Sequence, residues 1–320
     1  MMKVIIIGII LALNGCDNTN VETLNMTPQQ NEELQAFIQK VKKEQIYVQG
    51  GTFWMGDFCA KMRGGGSFCT SEKNNKPVHE IELNSFSISK FKITNEDFKT
   101  YLALNMLPEQ NFNNKHLKKL LSDMTFLKNS PAIVSWTEAA SYCAWLKKET
   151  GLPFSLPTEA QWEYVARNRG QYVAIATDDG TLRVNKKTGK GENFATDEDR
   201  DEIAEPNGLN PPLVHFPVDK YPPSPLGLYN MADNGKEWVM DWYDPDYYSK
   251  SPKKNPQGPD KPIVKDKTRD QYLKVLRGAS NPVPGFPSGL TITRYYKPLN
   301  PVGPTGTTAR CVVNIITPIQ

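Results

Sequence analysis

Two periodicities alternate along the chain. Thr27-Pro28 can cap and open a helix, and Leu34, Phe37, Ile38 and Val41 follow at helical spacing. This predicts an amphipathic helix that ends near Lys43 and packs its apolar face on the main domain. Residues 46–58 alternate apolar and polar positions around Gly50-Gly51, the pattern of extended chain broken by a turn. Residues 77–98 read as strand, turn, strand and helix start, with Thr94 as the cap. The polar, lysine-rich stretch 105–130 is expected as loop around residues 111–114, with His116 solvated. Residues 131–136 predict a short strand, and Thr137 a cap for a helix running to Thr150 and ended by Gly151. In that helix Ala140, Cys143, Ala144 and Lys147 share a spacing, with Cys143 as a small apolar core residue. Thr158 caps a further helix that turns Trp162 and Val165 inward. Glu163 can pair with Arg167 one turn on, while Glu159 and Glu163 on one face leave acid–base work as the alternative. The acidic run 197–205 is expected on the solvated surface, and 244–271 as a Pro- and Lys-rich surface excursion. Short strands, few helices and many Gly and Pro turns predict a loop-rich α+β domain.

Composition narrows the partners. Lys and Arg number 38 against 35 Asp and Glu, a net charge of +3, so no nucleic-acid partner is implied. The first residues change the picture most. Lys3 and the apolar run 4–13, too short to span a bilayer, lead to Leu13-Asn14-Gly15-Cys16, which resembles a bacterial lipobox. Residues 1–16 are thus expected as a signal peptide ending at a lipidated Cys16, residues 17–45 as tether and helix, and 46–314 as the domain. An ordinary cleaved signal with a chance cysteine is the alternative. Asp17 after Cys16 resembles the signal that retains lipoproteins at the inner membrane, so the expected location is the periplasm. In that oxidising compartment Cys59 and Cys69, which flank Gly64-Gly65-Gly66, are expected to be bridged.

The densest chemistry lies in residues 226–242. Asn230, Asp233 and Glu237 offer oxygens within eight positions, and Gly235 allows a tight bend. Hard cations take such carboxylate, amide and carbonyl oxygens. A buried turn, with Glu237 paired to an arginine and Trp238 and Trp242 in the core, fits the same residues.

Gly227-Leu228-Tyr229-Asn230-Met231, then Asn234, Glu237-Trp238 and Asp241-Trp242, resemble the signature of the formylglycine-generating enzyme, or sulfatase-modifying factor, family. Asp233 and Lys236 depart from it, standing where the family has a glycine and a tryptophan. The similarity extends to Gly50-Gly51-Thr52-Phe53, to Leu156-Pro157-Thr158-Glu159-Ala160 through Arg167, and to Val275-Leu276-Arg277-Gly278. It implies the family's C-type-lectin-like fold. It also implies structural Ca²⁺ held by Asn230, Glu237 and the carbonyls of Asp233 and Gly235, and less surely by Asn193, the Phe194 carbonyl and Asn210. Catalytic members carry two cysteines after the Gly-Gly-Ser strand for copper(I). Counted from Ser280, those positions hold Val283 and Ser288, so no copper is expected. The iron-dependent branch needs a His-x-x-x-His-x-Glu cluster, and the three histidines here, His79, His116 and His215, lack that spacing.

The resemblance therefore implies a scaffold without its chemistry. The reading is a membrane-anchored protein-binding module, with Phe286, Leu290, Tyr295 and Tyr296 as candidate partner contacts. By analogy, such a module suits an immunity protein that neutralises a secreted toxic effector, such as a type VI lipase. An oxidoreductase using an unrecognised site is the alternative.

Overall fold

The structure, a computed structural model, describes residues 26–62, 69–284 and 289–319. In chain order its helices and strands begin with α1 (Pro28–Lys43), β1 (Gln45–Val48), β2 (Gly51–Met55), the single turn α2 (Cys59–Met62), β3 (His79–Leu83) and β4 (Phe86–Ser89). The middle is helical: α3 (Asn95–Leu104), α4 (Lys115–Met124), α5 (Trp136–Thr150), β5 (Phe154–Ser155), α6 (Glu159–Ala166) and α7 (Asp197–Asn207). The last part is strands: β6 (Lys236–Trp242), β7 (Lys265–Asp266), β8 (Gln271–Arg277), β9 (Tyr295–Pro298), β10 (Thr307–Thr308) and β11 (Val312–Val313).

Among the described residues three small sheets form. One has the order β1-β4-β11-β5, a second runs β10-β6-β8 with β7 and β9 also on β8, and β2 pairs with β3 alone. Gly50 makes the separation of β1 from β2 possible. A Cβ there would lie 2.2 Å from the Leu83 carbonyl oxygen, so only glycine lets the chain leave one sheet and enter the next at that point.

The first helix forms as its pattern predicts. Thr27 and Gln30 make a capping box, and Leu34, Phe37, Ile38 and Val41 are buried. They join a core with Phe98, Tyr142, Trp145 and Trp238, so α1 is part of the domain and not a separate tether. A second core of Val48, Ile88, Trp162, Val165, Val275 and Val312 lies between the sheets and α6.

Several expectations fail for identifiable reasons. Stretch 105–130 contains α4, capped by Asn114, whose Oδ1 accepts from the His116 and Leu117 amides. Residues 131–136 form no strand, only a bridge from Pro131 to Thr94. Ser135, not Thr137, caps α5 in a box with Glu138. The buried face of α5 is Ala139, Tyr142, Cys143, Trp145 and Leu146, a different phase from the one expected. The acidic run forms α7, capped by Thr196; Asp197, Glu198, Glu202 and Glu205 are exposed as expected, while Asp199 and Arg200 are buried. Acidic side chains beside the N-terminus of α7 complement the helix dipole.

Covalent links complete the frame. Cys59 and Cys69 are bridged, with Cα atoms 5.5 Å apart. Asp57 accepts from the amides of both cysteines and from that of Thr70, which holds the two ends of this loop together. Cys143 is also bridged, to Cys311, 168 residues on. This corrects the expectation of a free apolar Cys143.

Candidate functional site

Two parts of the second sheet carry the candidate chemistry. They are the segment that follows β8 and the turn that precedes β6.

The segment after β8 is clamped by carboxylates from α6. Arg277, at the end of β8, donates Nη1 to Glu159 Oε1 at 2.8 Å and Nη2 to Glu163 Oε2 at 2.9 Å. The same Nη2 also donates to the Thr291 carbonyl. Arg294 grips Glu159 through Nε and Nη2, at 2.7 and 2.9 Å. Glu163 accepts from Arg167 Nη1 and the Gly56 amide, both at 2.8 Å. Burial works against the charge on Glu159, but Arg294 and Arg277 outweigh it and hold the carboxyl below its usual range. Glu159 and Glu163 thus form a structural ion network, their oxygens taken up by Arg167, Arg277 and Arg294. Burial, and then the nearby Glu159, push Asp241 up to about 7.

This clamp decides which partner candidates can meet a partner. Leu290 is half-buried, packed against the cluster of Phe58, Cys59 and Ile292 and bridged to Ile175, so only part of its side chain is open to a partner. Tyr295 is half-buried, with the Lys236 ammonium 4.6 Å above its ring. Tyr296 is 48% exposed and stacks on Tyr243 with ring centroids 4.0 Å apart. Val283 is exposed. Phe286 and Ser288 lie outside the described residues, as does Cys16.

The turn before β6 supplies the clearest geometry. Asn230, Asn234 and Gly235 have φ of 54°, 61° and 104°, which curls successive carbonyls to one side. The Asn234 amide fixes the curl, accepting from the Phe216 amide at 3.0 Å and donating to its carbonyl at 2.9 Å. Three of the four groups predicted to hold calcium do meet at one cation, and that cation is the ammonium of Lys92. Its Nζ donates to the carbonyls of Asp233 at 2.9 Å, Asn234 at 3.3 Å and Gly235, and lies 3.5 Å from Glu237 Oε1. Burial pulls Lys92 down to about 8, with Glu237 opposing, so it is an ammonium at neutral pH.

Glu237 is further engaged by Arg310 Nε and Nη2, at 2.8 and 2.9 Å, and by Trp162 Nε1 at 3.1 Å. Arg310 also donates to the carbonyls of Ser89, Lys90 and Tyr229, which uses all five of its N–H groups. Asn230 donates its amide to Asp233 Oδ1 at 3.2 Å, and its own oxygen has no partner. Trp238 is fully buried, whereas Trp242 is half-buried and stacked on Trp136. These residues do not fit a calcium ion while Lys92 is present.

The second implied set does not assemble. Asn193 Nδ2 donates to Asp178 Oδ1 and the Thr181 carbonyl, and its Oδ1 accepts from the Arg183 amide. The guanidinium of Arg183 pairs with Asp178, Asp179 and Glu192. Phe194 is buried, and Asn210 is exposed with its amide on Asp123. No sequence pattern marked Lys92 or Arg183 as the cations of these two clusters.

His215 is buried next to the turn and donates its Nδ1–H to the Leu213 carbonyl at 2.9 Å. Burial first, then Arg200 and Lys92, hold its ring down to about 4, against 6.5 for a free histidine. The unfolded chain therefore takes up this proton near 6.5 and the folded chain only near 4. Stability should fall as pH drops through that window, by roughly 3 kcal/mol for this group. Other titrating groups cancel in a comparison with His215→Gln. Urea midpoints from pH 7.5 to 4 should fall more steeply for the wild type than for the variant. Parallel curves would mean that the fold does not hold the His215 ring below its free value.

A cavity of about 360 Å³ lies between α5 and residues 300–307, lined by Gln110, Ser135, Glu138, Asn300, Pro304 and Thr307 among others. Its one carboxylate, Glu138, accepts from the Ser135 amide at 2.7 Å and from Gln110 Nε2 at 2.8 Å, so it serves the cap of α5.

With fold and site in place, the chain can be classed. Residues 30–283 match the sulfatase-modifying factor enzyme 1-like domain, and the chain belongs to that family. It is 29% identical over 256 residues to the formylglycine-generating enzyme of Streptomyces coelicolor, covering 67% of this chain and 74% of that one. It is also 29% identical over 229 residues to a protein named serine/threonine-protein kinase pkn1 from Chlamydia caviae, of whose length it spans 31%. Among solved structures, PvdO from Pseudomonas aeruginosa shares the fold, with a TM-score of 0.57 at 19% identity over 85% of this chain and 94% of that one.

Proposed function

We propose that the chain is a lipid-anchored protein-binding module of the periplasm, on a formylglycine-generating-enzyme-like scaffold that no longer carries copper chemistry. The observation that supports this most is the state of the cysteines. The chain has five; Cys59 pairs with Cys69 and Cys143 with Cys311, and Cys16 belongs to the lipobox. No thiolate pair remains for a soft metal, and Val283 and Ser288 stand where the catalytic cysteines would be. The exposed Tyr296, backed by Tyr243 and held by the Arg294 clamp, offers a rigid aromatic contact of the kind that anchors protein interfaces. Phe286, four residues before Leu290, is the second candidate anchor. A secreted toxic effector is the partner class this reading favours, with the chain as its immunity protein.

The full chain, supplied with copper, should not oxidise a Cys-x-Pro-x-Arg sulfatase peptide. Formylglycine product in that assay would overturn the reading. In titrations against a protein captured from the same cells, Tyr296→Ala should weaken binding by about 2 kcal/mol, roughly 30-fold. The melting temperature should fall by only about 2–4 °C, the loss of the ring's stack on Tyr243. Unchanged affinity would remove Tyr296 from the interface.

A further inference from the structure

The turn before β6 and the side chain of Lys92 together make a complete cation site. We propose that Lys92 is its permanent occupant, a tethered ammonium that orders the turn without a metal ion. The inference is independent of the proposed function.

The cradle is built for a cation. An ammonium has three N–H donors and no acceptor, and here it meets three carbonyl oxygens and one carboxylate oxygen. Both charged partners are buried, with side-chain exposures of 1% for Lys92 and for Glu237. The oxygens cannot spread apart to become an ordinary turn. A Cβ at Gly235 would lie 2.4 Å from Thr308 Cγ2, and Asn234 is held by both backbone groups of Phe216. Water could satisfy single carbonyls, but three converging dipoles beside a carboxylate need a positive charge.

Lys92 and a metal ion exclude one another. Each needs the same oxygens at the same point, and Arg310 already places a second positive charge on Glu237. A divalent ion would add two more charges next to these. The tether also changes what controls the turn. A metal-bound loop gains stability with free-ion concentration, whereas a covalently attached cation is always present. Lys92 lies between β4 and the cap of α3, so the contact ties the first half of the chain to the turn more than 140 residues later.

Truncating the side chain should convert the cradle into a receptor for small cations. In the full chain, Lys92→Ala should lower the melting temperature in chelator on the order of 10 °C, because three buried carbonyls lose their cation and Glu237 is left with Arg310 alone. Millimolar Ca²⁺, or methylammonium as a detached copy of the missing group, should restore part of the loss in a saturable way. Wild type should melt within ~1 °C in chelator and in Ca²⁺, since nothing is left for the ion to bind. A melting temperature of the variant equal to wild type, or no recovery with either cation, would overturn the proposal. A variant that does not fold leaves the wild-type comparison to decide: a calcium-dependent rise there means that a metal, and not Lys92, orders the turn.

Discussion

Glu159→Gln should cost ~3–5 kcal/mol of stability and lower the melting temperature by roughly 10 °C. Its carboxylate accepts from Arg294 Nε and Nη2, Arg277 Nη1 and the Tyr248 hydroxyl, all buried. Glutamine keeps the shape but removes the charge, and its amide nitrogen turns one acceptor into a donor facing an arginine. Arg294 would lose its ion-pair partner, and Arg277 would keep only Glu163, which it already shares with Arg167. Asp241, held up partly by Glu159, would ionise more readily and recover some of the loss. A surface control makes the comparison decisive. Glu80 pairs with Lys253 at 2.6 Å, with side chains 40% and 57% exposed, and Glu80→Gln should change stability by under ~0.5 kcal/mol. Equal losses in denaturant titrations of the two variants would mean that the buried network contributes nothing special.

Removing the Cys143–Cys311 bridge should cost more than removing the Cys59–Cys69 bridge. The closed loops differ in length, 168 against 10 residues, and the unfolded chain gains more freedom when the longer one is opened. The chain-entropy account gives ~5 kcal/mol for the long loop and ~3 kcal/mol for the short one. Packing adds to the difference, because both Cys143 and Cys311 sit in the core with Trp145 and Trp238. The double variants Cys143→Ala/Cys311→Ala and Cys59→Ala/Cys69→Ala separate the effects, read as urea midpoints. The reverse ranking would show that the long loop stays constrained in the unfolded chain without its bridge.

What could be read from the chain was what local chemistry decides. Thr27, Thr94 and Thr158 cap helices because a hydroxyl next to a helix start satisfies free amides wherever the helix packs. The α1 face and the Cys59–Cys69 bridge were legible for the same reason: their partners lie within a few turns of chain. The family was legible because its motifs are contiguous, and residues 30–283 match it. Stretch 105–130 was misread, although Asn114 with Leu117, Leu120, Leu121 and Met124 carried a helix signal that its lysines masked.

The tertiary structure alone decided the pairings across distance. Cys143 meets Cys311 because β11 runs through the sheet beside β5, at the end of α5, and neither cysteine's neighbours in sequence report that. Leu290 reads in sequence as part of an aromatic loop, yet it packs half-buried against Phe58, Cys59 and Ile292, residues that lie far from it in the chain or beyond its own turn. The oxygens around residues 230–237 were recognisable as a cation cradle from their residue types and the bend at Gly235. Which cation fills it was not, because a lysine far away in sequence carries no local mark of where its ammonium ends. Charge balance in a buried site is a property of the whole fold, and Lys92 enters it only when β4, α3 and the turn before β6 are brought together.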